Sequence, residues 1–146
     1  MNGIKKIIYN KKLFAIIVEE KKIFRSGVNF VTPNSLILQL GFINYKSKTY
    51  IKPHTHNSYL RKIKKTTEIL LIKKGLLRVD FYHKNKKYLF SKIVNKNHIL
   101  ILIDGSHGFK IIKNCLIIEI KQGPFSSTLD KKRFNKIDEE FIKIKK

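Results

Sequence analysis

For most of its length the chain alternates apolar and polar residues with a period near two, the pattern of half-buried strands rather than helices. Strand-like runs fall at Leu13–Val18, Leu36–Tyr45, Thr49–Lys52, Glu68–Lys73, Leu76–Tyr82, Lys87–Val94, Ile99–Ile103, Phe109–Ile112 and Cys115–Lys121. Turn residues separate them, at Pro33 to Ser35, Lys73 to Gly75, His83 to Lys86, Asn95 to Asn97, Asp104-Gly105 and Lys113-Asn114. Many short strands at this spacing predict an all-β barrel or double-sheet jelly roll. The period changes only near the end, where Phe134, Ile137, Phe141 and Ile144 recur at intervals of three and four and predict one short helix outside the barrel. With no internal repeat or linker, the expected organisation is one domain over residues 1–146, with a barrel core at about 30–125 and a helical tail at about 130–146.

A chain of 146 residues can bury a continuous core without disulfides. Its one cysteine, Cys115, has no partner and lies in an apolar run, which reads as a buried thiol in a reducing compartment. The apolar segment Leu13–Val18 is too short for a signal core, and nothing approaches the 18 or more apolar residues of a membrane span. The expected location is the cytoplasm. The formal charge of +22 raises the question of nucleic acid. However, the arginines are only Arg25, Arg61, Arg78 and Arg133, the lysines are dispersed in pairs, and no basic helix studded with aromatics links them. A solvated lysine surface is expected, without specific nucleic-acid recognition.

Chemistry-bearing residues are few. His54 and His56 follow Pro53 at the end of a strand-like run, and alternate residues of a strand share a face, about 7 Å apart. Glu68 opens the next long strand, and His107 follows the turn after Ile99–Ile103. Neighbouring strands of a small barrel can aim these three imidazoles and one carboxylate at a single interior point. Such a set suits Fe(II), Mn(II), Ni(II) or Zn(II). A bare His-x-His is a weak motif, and exposed loop histidines beside a solvated Glu68 remain the competing reading. His83 and His98 lie in or beside turns and read as surface residues.

The extended pattern, Pro53 through His56, then Glu68, Gly75 and His107, resembles the two motifs of the cupin superfamily. The segments Ile51–Asn57, Val79–Tyr82, Gly105–Phe109 and Glu119–Pro124 look like those of small bacterial cupins associated with surface-polysaccharide biosynthesis. The resemblance implies that His54, His56, Glu68 and His107 bind a divalent ion inside the barrel, and that the protein is a homodimer. Three departures stand out. A longer gap between His56 and Glu68 implies an inserted loop, Asn57–Thr67, over the barrel mouth. Asn97-His98 replaces the usual Gly-Asp, with Asn97 able to take the left-handed conformation of glycine. The turn residue Gly105 lies one position nearer to His107 than expected, so the aim of His107 depends on an altered turn.

Around that site, Lys52, Arg61, Lys121 and Tyr50 are candidate substrate contacts, with Arg61 in the insert suited to an anion. Alternation puts Glu119 and Lys121 on one face, where an interior pair is expected. Two function classes follow. One is a metal-binding isomerase or epimerase of a sugar or nucleotide sugar, with Glu119 or His54 moving the proton, or a metal-free variant with His54 or His56 as base. The other is a ligand- or metal-sensing cupin without chemistry. A metal-dependent dioxygenase and a nucleic-acid-binding protein are lesser alternatives.

Overall fold

The sheet begins with a hairpin that the alternation does not announce. In the computed structural model, which describes residues 3–19, 24–126 and 128–145, Asn10 and Lys11 both have positive φ, 47° and 61°. That is the backbone of a two-residue type I′ turn, here made without the usual glycine. It joins β1 (Ile4–Tyr9) to β2 (Lys12–Val18). The basic start of the chain is therefore a strand.

The remaining strands are β3 (Gly27–Phe30), β4 (Gly41–Asn44), β5 (Glu68–Tyr82), β6 (Tyr88–Asn95), β7 (Ile99–Leu102) and β8 (Ser106–Lys121). Every pairing between these strands is antiparallel. The main sheet runs β1-β2-β7-β5-β6, with β8 on the other edge of β5, while β3 and β4 form a separate ribbon. The all-β class expected from the sequence is present as a curled half-barrel. Of the run Leu36–Tyr45 only Gly41–Asn44 is strand, and Thr49–Lys52 is not strand.

Curling comes from the places where the sequence signals turns. Lys73 to Gly75 and Lys113-Asn114 do not end strands; both chains run on, and the β5–β8 register shifts between Ile72 and Leu77. Gly75 carries φ +94°, and a Cβ there would lie 2.3 Å from the Asn114 carbonyl oxygen. Only glycine fits so close an approach, and the pair of strands bends at this bulge. Asn97, in the β6–β7 turn, has φ 63°, the left-handed role expected of it.

The core consists of two clusters, to which β2 and β7 contribute alternate residues. Ile72, Leu77, Val79, Phe81, Val94 and Leu100 are essentially inaccessible, and Phe14, Leu70 and Phe90 pack with them. A second cluster, Ile16, Val18, Ile69 and Ile101, is covered by Phe24, Leu38, Leu40 and Phe42 from the ribbon region, where the Phe24 and Phe42 rings stack at 3.8 Å. Burying each large aliphatic contributes about 1.5–3 kcal/mol. Cys115 is partly buried against the first cluster.

The expected C-terminal helix is corrected to a single 3-10 turn, Glu139–Phe141, in an otherwise extended tail. The sheet offers the tail backbone better partners than its own turns. Ser91 N donates to Lys143 O at 2.8 Å and Lys145 N donates to Ser91 O at 2.9 Å, while Ile137 N and Lys143 N donate to the hydroxyls of Tyr82 and Tyr88. The tail thus covers the outer edge of β6, a strand that would otherwise present unpaired backbone groups. No helix among the described residues is long and apolar enough to cross a membrane.

Candidate active site

Glu68 is the first residue of β5 and His107 the second of β8. In register, Glu68 lies opposite Lys121, while His107 lies opposite Phe81, thirteen residues further along β5. On a straight strand that separation is about 43 Å. Yet Glu68 Oε2 and His107 Nε2 are 3.0 Å apart. Pairing with β7 puts Glu68 opposite Leu102, five residues before His107, and the short β7–β8 turn together with the bend at Gly75 brings the two groups into contact.

The turn before β8 sets His107 in place. Gly105 has φ +78°, its N–H donates to Asp104 Oδ1 at 2.8 Å, and a Cβ on it would lie 2.4 Å from the Phe14 ring and 2.8 Å from Tyr82 O. The Ile103 and Asp104 amides both donate to Phe14 O. The His107 ring then rests against Phe109, centroids 5.1 Å apart. The hydrogen bond from His107 holds the Glu68 carboxyl below its ordinary range against the opposing effect of burial, helped by the charges of His107, Lys131 and Lys121. Whenever the ring gives up one proton, donation from Nε2 to the ionised Glu68 leaves Nδ1 as its acceptor nitrogen.

This pair lines a cavity of about 710 Å³, a volume typical of small-molecule sites. Its floor carries a second polar cluster. Arg78 forks between two carboxylates: Nε and Nη2 donate to Asp80 at 2.8 and 3.1 Å, and Nη1 and Nη2 to Glu139 at 2.7 and 3.1 Å. Ser91 Oγ donates to Asp80, and Lys110 Nζ reaches Glu139 at 2.9 Å. Arg78 and Asp80 are buried, whereas Glu139 is half exposed. The Glu139 hydrogen bond raises the Arg78 pKa, burial opposes it, and Asp80 adds to the rise. Glu139 in turn is held down at about 2, first by Arg78 and then by Lys110. The tail segment with Lys131, Lys132, Arg133 and Lys136 also lines the cavity.

The four expected metal ligands stand as two pairs. His54 and His56 lie in an exposed segment without strand structure, rings edge-on at 5.2 Å, with His54 Nδ1 3.1 Å from Lys52 O. Among the described residues no three His, Cys, Asp or Glu side chains group as one metal site, so the tetrad does not fit a single ion as arranged here. Arg61 stacks its guanidinium 3.6 Å over the exposed Tyr59 ring, and Lys52 and Tyr50 are exposed on the same stretch. Glu119 is exposed opposite Leu70, and Lys121 pairs with Asp130 at 3.3 Å instead of with Glu119. His83 caps its turn through Asn85, and His98 is half buried between β6 and β7.

Neither the Arg78 cluster nor the basic wall emerges from the sequence reading. The signal for the wall was present in Lys131-Lys132-Arg133, the only three consecutive basic residues in the chain. The helical period assigned to Phe134 and its followers obscured it. No family model, curated protein or solved structure matches the chain, so its chemistry rests on this geometry.

Proposed function

We propose that the protein is a proton-transfer enzyme, of isomerase or epimerase type, acting on a small anionic metabolite of the sugar class. The observation that carries this reading is the Glu68–His107 contact on the wall of a ligand-sized cavity. A carboxylate that fixes one imidazole nitrogen leaves the other as a general base. His107 Nδ1 takes a proton from a hydroxyl-bearing carbon beside a carbonyl, giving an enediolate, and returns it either to the same carbon on its other face after the enediolate turns over in the cavity, or to the neighbouring carbon while the hydroxyl proton passes between the two oxygens. The first outcome is epimerisation and the second isomerisation, and neither needs a redox partner. His107 and Glu68 thereby take the role first assigned to His54 and Glu119.

A cupin-type barrel in a cytoplasmic homodimer forms part of the proposal. The curled antiparallel sheet and the long bent strands β5 and β8 support it, as do the quoted motifs. A second reading has a divalent ion held by His54, His56, Glu68 and His107, and the pairing of the first two rings favours it. That form requires the segment carrying them to approach the dyad.

Solvent-deuterium incorporation tests the first reading. A panel of aldoses, ketoses and nucleotide sugars is incubated with protein in D₂O and read by mass spectrometry. Exchange on at least one substrate is expected, lowered by about 10²-fold or more in His107→Ala. Exchange that His107→Ala leaves unchanged, or none across the panel, overturns it. Elemental analysis of untagged wild type and His56→Ala tests the second: stoichiometric metal lost in the variant supports it.

A further inference from the structure

The cavity has more positive charge than its own acids neutralise. It is lined by eight Lys and Arg side chains against five Asp and Glu. Each acid already has a partner: Glu68 has His107, Asp80 has Arg78, Asp104 has Lys65 and Lys84, Asp130 has Lys121, and Glu139 has Arg78 and Lys110. Lys131, Lys132, Arg133 and Lys136 are in no ion pair among the described residues. They fall within six consecutive residues on one wall.

That wall is fixed at several points. Asp130 is tied to Lys121 at 3.3 Å, the Phe134 ring meets Tyr82 edge-on at 5.1 Å, Ile137 N donates to the Tyr82 hydroxyl at 3.1 Å, and Glu139 is clamped by Arg78. Anchors before, within and after the cationic stretch hold it on the cavity that the dyad also lines. Lys131 acts electrostatically on Glu68, so the two features lie within Coulomb range. Four unneutralised cations exceed what one carboxylate needs. They suit a dianionic phosphoryl group, whose oxygens accept several charge-assisted bonds, one set from a planar guanidinium.

We propose that Lys131, Lys132, Arg133 and Lys136 form a phosphoryl subsite and that the substrate is a phosphorylated small metabolite, a sugar phosphate or nucleoside-diphosphate sugar. This rests on the proton-transfer reading for its position beside the dyad, and it moves anion recognition from Arg61 to the tail.

Inorganic pyrophosphate is the probe, titrated calorimetrically at about 0.15 M salt, where long-range surface attraction is screened beyond about 8 Å. Lys131→Ala with Arg133→Ala is expected to weaken binding at least tenfold, and Arg133→Lys less. Arg61→Ala should leave it within twofold. Circular dichroism confirms folding, and the single variant Lys131→Gln serves if the double one is unstable. His107→Ala should keep pyrophosphate affinity while losing deuterium exchange, so the subsite and the dyad fail separately. Equal weakening by Arg61→Ala, unchanged affinity in the wall variants, or no binding at millimolar pyrophosphate overturns the subsite. So does a single-stranded oligonucleotide that displaces pyrophosphate and binds more tightly at this salt, which would make the wall a nucleic-acid surface.

Discussion

Replacing Arg78 by methionine tests whether the charge cluster beneath the cavity supports both the fold and the wall. Methionine approximates the arginine stem but removes all four hydrogen bonds to Asp80 and Glu139. Asp80, whose side chain is only 6% exposed, keeps only the Ser91 hydroxyl among its side-chain partners. Removing one member of a buried pair typically costs 3–5 kcal/mol, because the other charge stays desolvated. For a chain of this size that is roughly 10 °C in melting temperature. Glu139 is 46% exposed, so Glu139→Gln is expected to destabilise far less. Arg78→Met with Asp80→Leu should recover much of the loss, since a buried pair can often be exchanged for apolar groups at little cost. Urea unfolding followed by circular dichroism gives the three values. A loss under about 1 kcal/mol for Arg78→Met, or a double variant no better than the single one, would refute the reasoning.

Three further outcomes follow from the same coordinates. Gly105→Ala should cost about 2–4 kcal/mol from left-handed strain and overlap with Phe14, whereas at Gly108 the nearest atom to a Cβ is 3.8 Å away and alanine should be tolerated; thermal melts compare them. The Glu68 pKa is lowered on folding, so its stabilisation is present above about pH 4.5 and lost as pH falls through the folded value. Stability of Glu68→Gln measured from pH 6 to 3 should therefore decline less steeply than wild type, and parallel curves would refute this. Ile118→Lys should yield monomers by light scattering if the proposed homodimer uses β8, where Leu116, Ile118 and Ile120 are 45–60% exposed on a strand whose described partner is β5 alone; a wild-type monomer at micromolar concentration would remove the idea.

What was legible in the sequence was periodicity, and what was not was curvature. The apolar runs located β2, β6 and β7 to within a residue or two, because they are buried, β6 in the first cluster and β2 and β7 in both. Gly75 and Asn114 read as chain reversals, since local composition cannot distinguish a turn from a bulge; the distinction depends on a neighbour approaching too closely for a side chain. Two of the four singled-out ligands, Glu68 and His107, meet for a reason the sequence could supply only through the bend. His54 and His56 were placed on a strand that does not form, in a segment whose Tyr50, Tyr59 and Leu60 remain exposed. The tail was misread because intervals of three and four also suit an extended segment pinned at intervals by Tyr82, Tyr88 and Ser91.

The position of the site follows from that same curvature. Pairing with β7 already puts Glu68 opposite Leu102, five residues before His107, and the curvature closes the remaining gap so that the two side chains meet. Beyond the bend β5 supplies Arg78 and Tyr82, which anchor the tail, and Asp80, which holds Arg78. The bend at Gly75 thus bears on both the Glu68–His107 pair and the tail segment that lines the same cavity. Gly75→Ala, which would put a methyl group 2.3 Å from the Asn114 carbonyl, is expected to lower deuterium exchange and pyrophosphate affinity together in whatever fraction still folds. Loss of one with retention of the other would show that pair and wall are positioned independently, and the single-bend account of the site would fall.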